Sequence, residues 1–144
     1  MNTPLFKEFL ISGDTLWIYK ENRCLFTSKK GALLPLLEYI DKYVPHQKQV
    51  TIIDRIMGNA AALLSVKACA KKVYSPLGSE LAVKTLSNYG IKCHFTETVQ
   101  YIWNRRGDDM CPMEKLSLDK GPEEFFDLVR QLHKKKGQGN GEDY

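Results

Sequence analysis

The ten residues Arg105-Arg106-Gly107-Asp108-Asp109-Met110-Cys111-Pro112-Met113-Glu114 bring two guanidinium groups, a thiol and three carboxylates into one stretch. That is more chemistry than a connection needs if it only covers a core. A thiol near Arg105 or Arg106 would have a lowered pKa and be more nucleophilic. Glu114 could transfer a proton or accept a hydrogen bond from a ligand. Cys111 is therefore a candidate nucleophile, with Glu114 a candidate assisting group. The architectural alternative has Pro112 opening a helix, Glu114 on its first turn and Cys111 tucked beneath. No base partnered with Cys111 is evident. Asp108 and Asp109 lack further acidic groups at calcium-loop spacing and read as a solvated face.

A second cluster, Asp54-Arg55-x-x-Gly58-Asn59-Ala60, stands where an apolar strand gives way to a helix. In α/β sheets ligands commonly bind at such strand ends. Amides at a helix N-terminus can hold an anion, Gly58 permits close backbone approach, and Arg55 could pair with a phosphate or carboxylate. Arg55, Gly58, Asn59, Asn104 and Arg105 are thus candidate ligand contacts, and Asp54 a candidate assistant to Cys111. The simpler alternative is that Asp54 satisfies turn amides and Gly58 only makes the turn. One glycine at a strand–helix junction is far less specific than a P-loop.

The elements that position these residues can be read from periodicity. Leu5, Phe6, Phe9 and Leu10 recur at helical spacing behind Thr3-Pro4. Leu16-Trp17-Ile18-Tyr19 and Cys24-Leu25-Phe26-Thr27, either side of Glu21-Asn22, predict a hairpin. Leu33 to Ile40 predict a helix ending before Val44-Pro45. Val50-Thr51-Ile52-Ile53 is β-branched throughout, as a strand covered on both faces should be. Ala60 to Val66 is apolar nearly all round and predicts a buried helix lying close to the sheet. Lys72 to Ser75 predicts a short strand and Ser79 to Leu86 a helix closed by Gly90. Ile91 to Thr96 alternates as a strand, and a last helix is predicted from about Pro122 to Lys135. Trp17 and Tyr19 are expected in the sheet core, and Trp103 in core packing. Strands separated by helices imply parallel pairing beside the antiparallel hairpin. The expected fold is α/β, a three-layer α/β/α sandwich around a five-stranded mixed sheet.

This succession resembles the cytidine-deaminase-like fold. The stretch from Asp54 to Leu64, with Asn104-Arg105-x-Gly107-x-x-x-Cys111-Pro112-Met113-Glu114, further resembles an uncharacterised bacterial family of that superfamily, known only as a domain of unknown function. The resemblance covers roughly Gly13 to Leu132. It implies a zinc-deaminase scaffold, whose enzymes need H-x-E or C-x-E at one helix start and P-C-x-x-C at the next. The corresponding positions here read Thr27-Ser28-Lys29-Lys30-Gly31 and Asp54-Arg55-Ile56-Met57-Gly58-Asn59. Neither holds a His or Cys, and His46, His94 and His133 are dispersed. No metal site and no cofactor are expected, and zinc-dependent deamination is disfavoured.

Composition narrows the class. The 144 residues suit one domain, expected over residues 1–136, with a glycine-rich tail at 137–144 expected to be disordered. No apolar run could span a bilayer, and the start lacks a leader pattern, so the expected location is the cytoplasm. The net charge of +4 owes much to Lys134-Lys135-Lys136 and gives no nucleic-acid signal. Cys24, Cys69 and Cys93 fall in predicted elements and are expected to be buried, unlike Cys111. Three functions compete. The first is metal-free binding of a small anionic ligand, a nucleotide or related metabolite. The second is a cysteine-dependent enzyme of sulfur or acyl transfer using Cys111. The third is a non-catalytic interaction domain, a homodimer paired along a sheet edge.

Overall fold

The structure, a computed structural model, describes residues 3–136. The tail expected to be disordered lies outside the described residues. Helix α1 (Thr3–Ser12) precedes the hairpin β1 (Leu16–Lys20) and β2 (Arg23–Ser28). Helix α2 (Leu34–Tyr43), strands β3 (Val50–Asp54) and β4 (Ile56–Met57), and helix α3 (Asn59–Lys67) follow. Then come β5 (Ala70–Ser79), α4 (Glu80–Asn88), β6 (Lys92–Val99), α5 (Pro112–Ser117) and α6 (Pro122–Lys136). Among the described residues no helix is long and apolar enough to cross a membrane.

The sheet is mixed and has six strands, not five. The hairpin β1–β2 is antiparallel, and β1 pairs antiparallel with β3 through Leu16↔Asp54 and Ile18↔Ile52. β3, β4 and β6 all run parallel to β5. The extra strand, β4, takes up the line of β3 along β5 after a break at Arg55. Pro76 explains that break. It has no amide hydrogen for a ladder. β3 pairs as far as Tyr74, β4 resumes at Leu77, and β6 pairs with Ser75 and Leu77 on either side of the proline. The Ser75 hydroxyl fills in locally, accepting from the Leu77 amide at 3.2 Å and donating to the Leu77 carbonyl at 2.8 Å. With this repair β5 continues to Ser79, four residues past its expected end.

Alternation along the strands feeds two cores. Leu16, Ile18, Ile52 and Val73 join the larger cluster, with Leu36 and Ile40 of α2, Ala60 to Leu64 of α3, Leu86 of α4 and Phe125 of α6. Ile53 and Tyr74 instead pack with Phe6 and Phe9 of α1, and Trp17 leans on that second cluster with its ring edge-on to Phe9. Small alanines let α3 lie at the centre of the helical layer, where it meets α2, α4, α5 and α6. Helix α4 is capped by the Ser79 hydroxyl, which accepts from the Ala82 amide at 3.0 Å. It ends at Gly90, whose φ of +72° suits glycine.

Candidate functional site

A cavity of about 360 Å³ opens at the C-terminal end of β3. Its walls come from the start of the hairpin, the approach to α2, the β3–β4 junction, the first turn of α3 and residues 102–114. Asp54, Arg55, Gly58, Arg105, Cys111 and Glu114 all border it, so the two clusters singled out in the sequence meet in one place. Leu33, Ile56, Ala60, Ala61, Ile102 and Met113 make most of its surface apolar. Ala60 and Met113 lie within the two sequence clusters, but none of the six was named as a ligand contact. Apolar residues in predicted elements give no sign of which faces border a cavity.

Glu114 is the centre of the site's architecture. The first turn of α5 carries it inward until the residue is 2% exposed. Its Oε1 accepts from the amides of Asn59, at 2.5 Å, and Ala60, at 3.4 Å, and its Oε2 from the Ile102 amide at 3.1 Å. The anion at the N-terminus of α3 is therefore this chain's own carboxylate, favoured there by the helix dipole. Gly58 makes the approach possible. A Cβ at that position would stand 2.7 Å from Glu114 Oε1 and 2.9 Å from Ile102 Cγ1.

Asn59 is equally engaged. Its Nδ2 donates to the Ser117 hydroxyl at 2.9 Å, and its Oδ1 accepts from the Thr85 hydroxyl. It thereby ties α3 to α5 and α4. Asn104 turns away from the cavity chemistry to close its own loop. Its Nδ2 donates to Asp108 Oδ1 at 2.8 Å, and its Oδ1 accepts from the Asp108 amide at 3.2 Å.

Arg55 caps α1. Nε donates to the Asp14 carbonyl at 2.7 Å, and one terminal nitrogen to the carbonyls of Phe9, at 2.8 Å, and Leu10, at 3.2 Å. The guanidinium also lies 4.6 Å from the centre of the Phe9 ring. Its positive charge sits where carbonyl dipoles converge. Arg105 is exposed along the cavity's border.

Asp54 is different. It is half-buried and borders the cavity. Burial pushes its carboxyl up to about 7, against the opposing pull of the Arg55 and Ile56 amides. Among the described residues no cation pairs with it. Nearby Asp14 shows the opposite case. Bonds from Lys29 and Trp17 hold its carboxyl below the usual range.

The cysteines need correction. Cys24, expected to be buried, is exposed: it lies on β2, the outer strand at one end of the sheet, none of whose residues is fully buried. Cys69 and Cys93 are half-buried, as is Cys111. Burial pushes the Cys93 thiol up. Trp103, expected in the core, is 50% exposed and packs on Tyr101, because it lies in a surface loop closed by the bridge between Trp103 and Met110. Among the described residues no group of three or more His, Cys, Asp or Glu side chains could hold a metal ion. At the cavity itself Glu114 is committed to amides, which leaves Asp54 and Cys111, too few donors for a zinc centre.

Residues 6–132 match the family model TM1506, described as a domain of unknown function (DUF1893). The fold is similar to the crystal structure of a DUF1893 family protein (TM1506) from Thermotoga maritima. The TM-score is 0.80 at 28% identity, over 90% of this chain and 87% of that one. No curated protein matches the chain.

Proposed function

The chain belongs to the DUF1893 family, a domain of unknown function, and we propose that its cavity binds a small organic molecule without a metal. The observation that carries this is Asp54, a carboxyl with no counter-ion among the described residues, on the wall of an apolar cavity of about 360 Å³. A largely apolar pocket with a few convergent polar groups and a perturbed carboxyl is the usual form of a ligand site. The cytidine-deaminase-like, three-layer arrangement belongs to the same proposal. Its support is the element order and the packing of α1 against a core cluster separate from that of the other helices. The zinc chemistry of that scaffold is not carried over, since the donors do not fit it.

An anionic ligand held by the α3 amides, as the sequence suggested, would have to displace Glu114. The ligand is instead placed beside Asp54. Amide chemical shifts of the labelled protein, followed during a screen of compact organic molecules that includes nucleosides and nucleotides, test the proposal. Perturbations are expected to gather at Asp54, Ala60, Ile102 and Cys111. A screen whose perturbations all fall elsewhere would end it.

Cysteine-dependent catalysis is a second reading, favoured by one observation: Cys111 and Asp54 border the same cavity. In acyl transfer Asp54 would take the thiol proton as sulfur attacks the acyl carbon, then return it to the leaving group. Turnover of an acyl donor that vanishes in Cys111→Ala, with folding retained, would establish it.

A further inference from the structure

The charged groups around the cavity are distributed unevenly. Inside, Glu114 occupies the α3 amides and Asp54 borders the open volume. The Arg55 cation is drawn to the C-terminus of α1 by three carbonyls, and Arg105 is exposed, where solvent screens its charge. The walls between are apolar, from Leu33, Ala60, Ala61, Ile102 and Met113. An anion entering here would meet two carboxyl groups and displace neither. A cation would meet one carboxyl whose partners among the described residues are the Arg55 and Ile56 backbone amides.

We infer that the ligand of this cavity is a compact organic cation, an amine, amidine or protonated amino-heterocycle, whose nitrogen pairs with Asp54. The inference rests on the proposal that the cavity is a binding site. Its carbon skeleton lies against the apolar walls, which supply affinity without charge preference, while the Asp54 pair supplies selection. Titration adds a signature. The carboxyl of Asp54 ionises near 7, so affinity for a permanent cation rises between about pH 6 and 8. The other charged or titratable groups on the cavity are Arg55, Arg105, Cys111 and Glu114. Of these Cys111 is the one whose ordinary range, about 8.5, borders that window, so Cys111→Ser is the control that isolates Asp54.

Benzamidine, benzamide and benzoate share one shape and differ in charge. Their dissociation constants for the full chain, measured by amide chemical shifts at pH 8, test the inference. Benzamidine is expected to bind about tenfold or more tightly than benzamide, and benzoate most weakly. Asp54→Asn should erase the difference between benzamidine and benzamide. Cys111→Ser should keep both the preference and its pH dependence. Binding of all three with equal strength, or preference for benzoate, overturns the charge inference and leaves the cavity proposal standing. Absence of binding by all three in the wild type counts against the cation inference. If the general screen also finds no cavity ligand, the site proposal falls with it.

Discussion

The carboxylate of Glu114 accepts from the amide of Asn59, 55 positions earlier in the chain, at the first turn of α3. Helix caps usually come from a residue just before the helix, and here the preceding residue is Gly58, which has no side chain to offer. The cap is supplied from α5 instead, and the missing side chain makes room for it. One bond thus joins the two segments that the sequence marked as rich in chemistry, and fixes the wall between α3 and residues 102–114.

Glu114→Ala should be strongly destabilising, by about 3 kcal/mol, because it leaves buried amides without an acceptor. Gly58→Ala should cost a comparable amount. Its φ of −83° suits alanine, so the effect is the collision with Glu114 and Ile102 alone. The two losses should not add, since each removes the same contact. Urea denaturation of both single variants and the double variant measures this. Additive losses would mean that Gly58 and Glu114 act separately.

Much of the fold was legible because local pattern and burial agree. The all-apolar run of α3, the alternation of β6 and the Glu21-Asn22 turn each needed only neighbouring residues to read. The continuation of β5 past Pro76 was not legible, because a proline disfavours a strand interior and the Ser75 repair has no sequence signature. The site was half legible. Asp54 and Cys111 were named, but their meeting depends on how α5 docks on α3, a contact between distant segments. The cap that Arg55 makes was hidden for the same reason. Its carbonyl partners lie more than forty residues away, in α1 and the turn after it.

Arg55→Ala should lower the melting temperature of the ligand-free protein. It removes charge-assisted bonds to the end of α1 and the packing on Phe9, together worth about 2 kcal/mol. Arg55→Lys should recover little, because a lysine cannot reproduce the fork. Thermal unfolding of the two variants decides it. A melting point unchanged in Arg55→Ala would show that the α1 cap is dispensable.

Asp54 predicts a pH dependence whose sign can be worked out. Its folded carboxyl ionises near 7 and its unfolded one near 3.8. Between those values the native state binds the proton more tightly, so stability falls as pH rises through that interval and levels off above 7. Asp54→Asn removes the effect. The variant should therefore gain on the wild type as pH rises from 4 to 7, by on the order of 2 kcal/mol given the carboxyl's partial solvent contact. Asp14 and Asp109, whose folded carboxyls are held low, act oppositely and only at more acid pH. Denaturation midpoints of both proteins across this range test it. A constant difference between them would show that Asp54 does not titrate in the window.

The thiols separate the binding reading from the catalytic one. Sequence alone placed Cys111 first in line for an alkylating reagent. The structure puts Cys24 there instead, since it is exposed on the outer strand while Cys111 is half-buried at the cavity. A limiting amount of iodoacetamide near neutral pH should label Cys24 first, as peptide mapping will locate. In a Cys24→Ser background Cys111 should come next. Cys93 should lag, because burial raises its thiol and thiolate is the reactive form. A ligand filling the cavity should slow the labelling of Cys111 and leave that of Cys69 and Cys93 unchanged. If the Cys111 rate instead rises through a pKa near 7 and that step disappears in Asp54→Asn, the carboxyl is taking the thiol proton and the catalytic reading gains its base. A rate that rises only through the ordinary thiol range of about 8.5, in both proteins alike, leaves Cys111 as part of the wall.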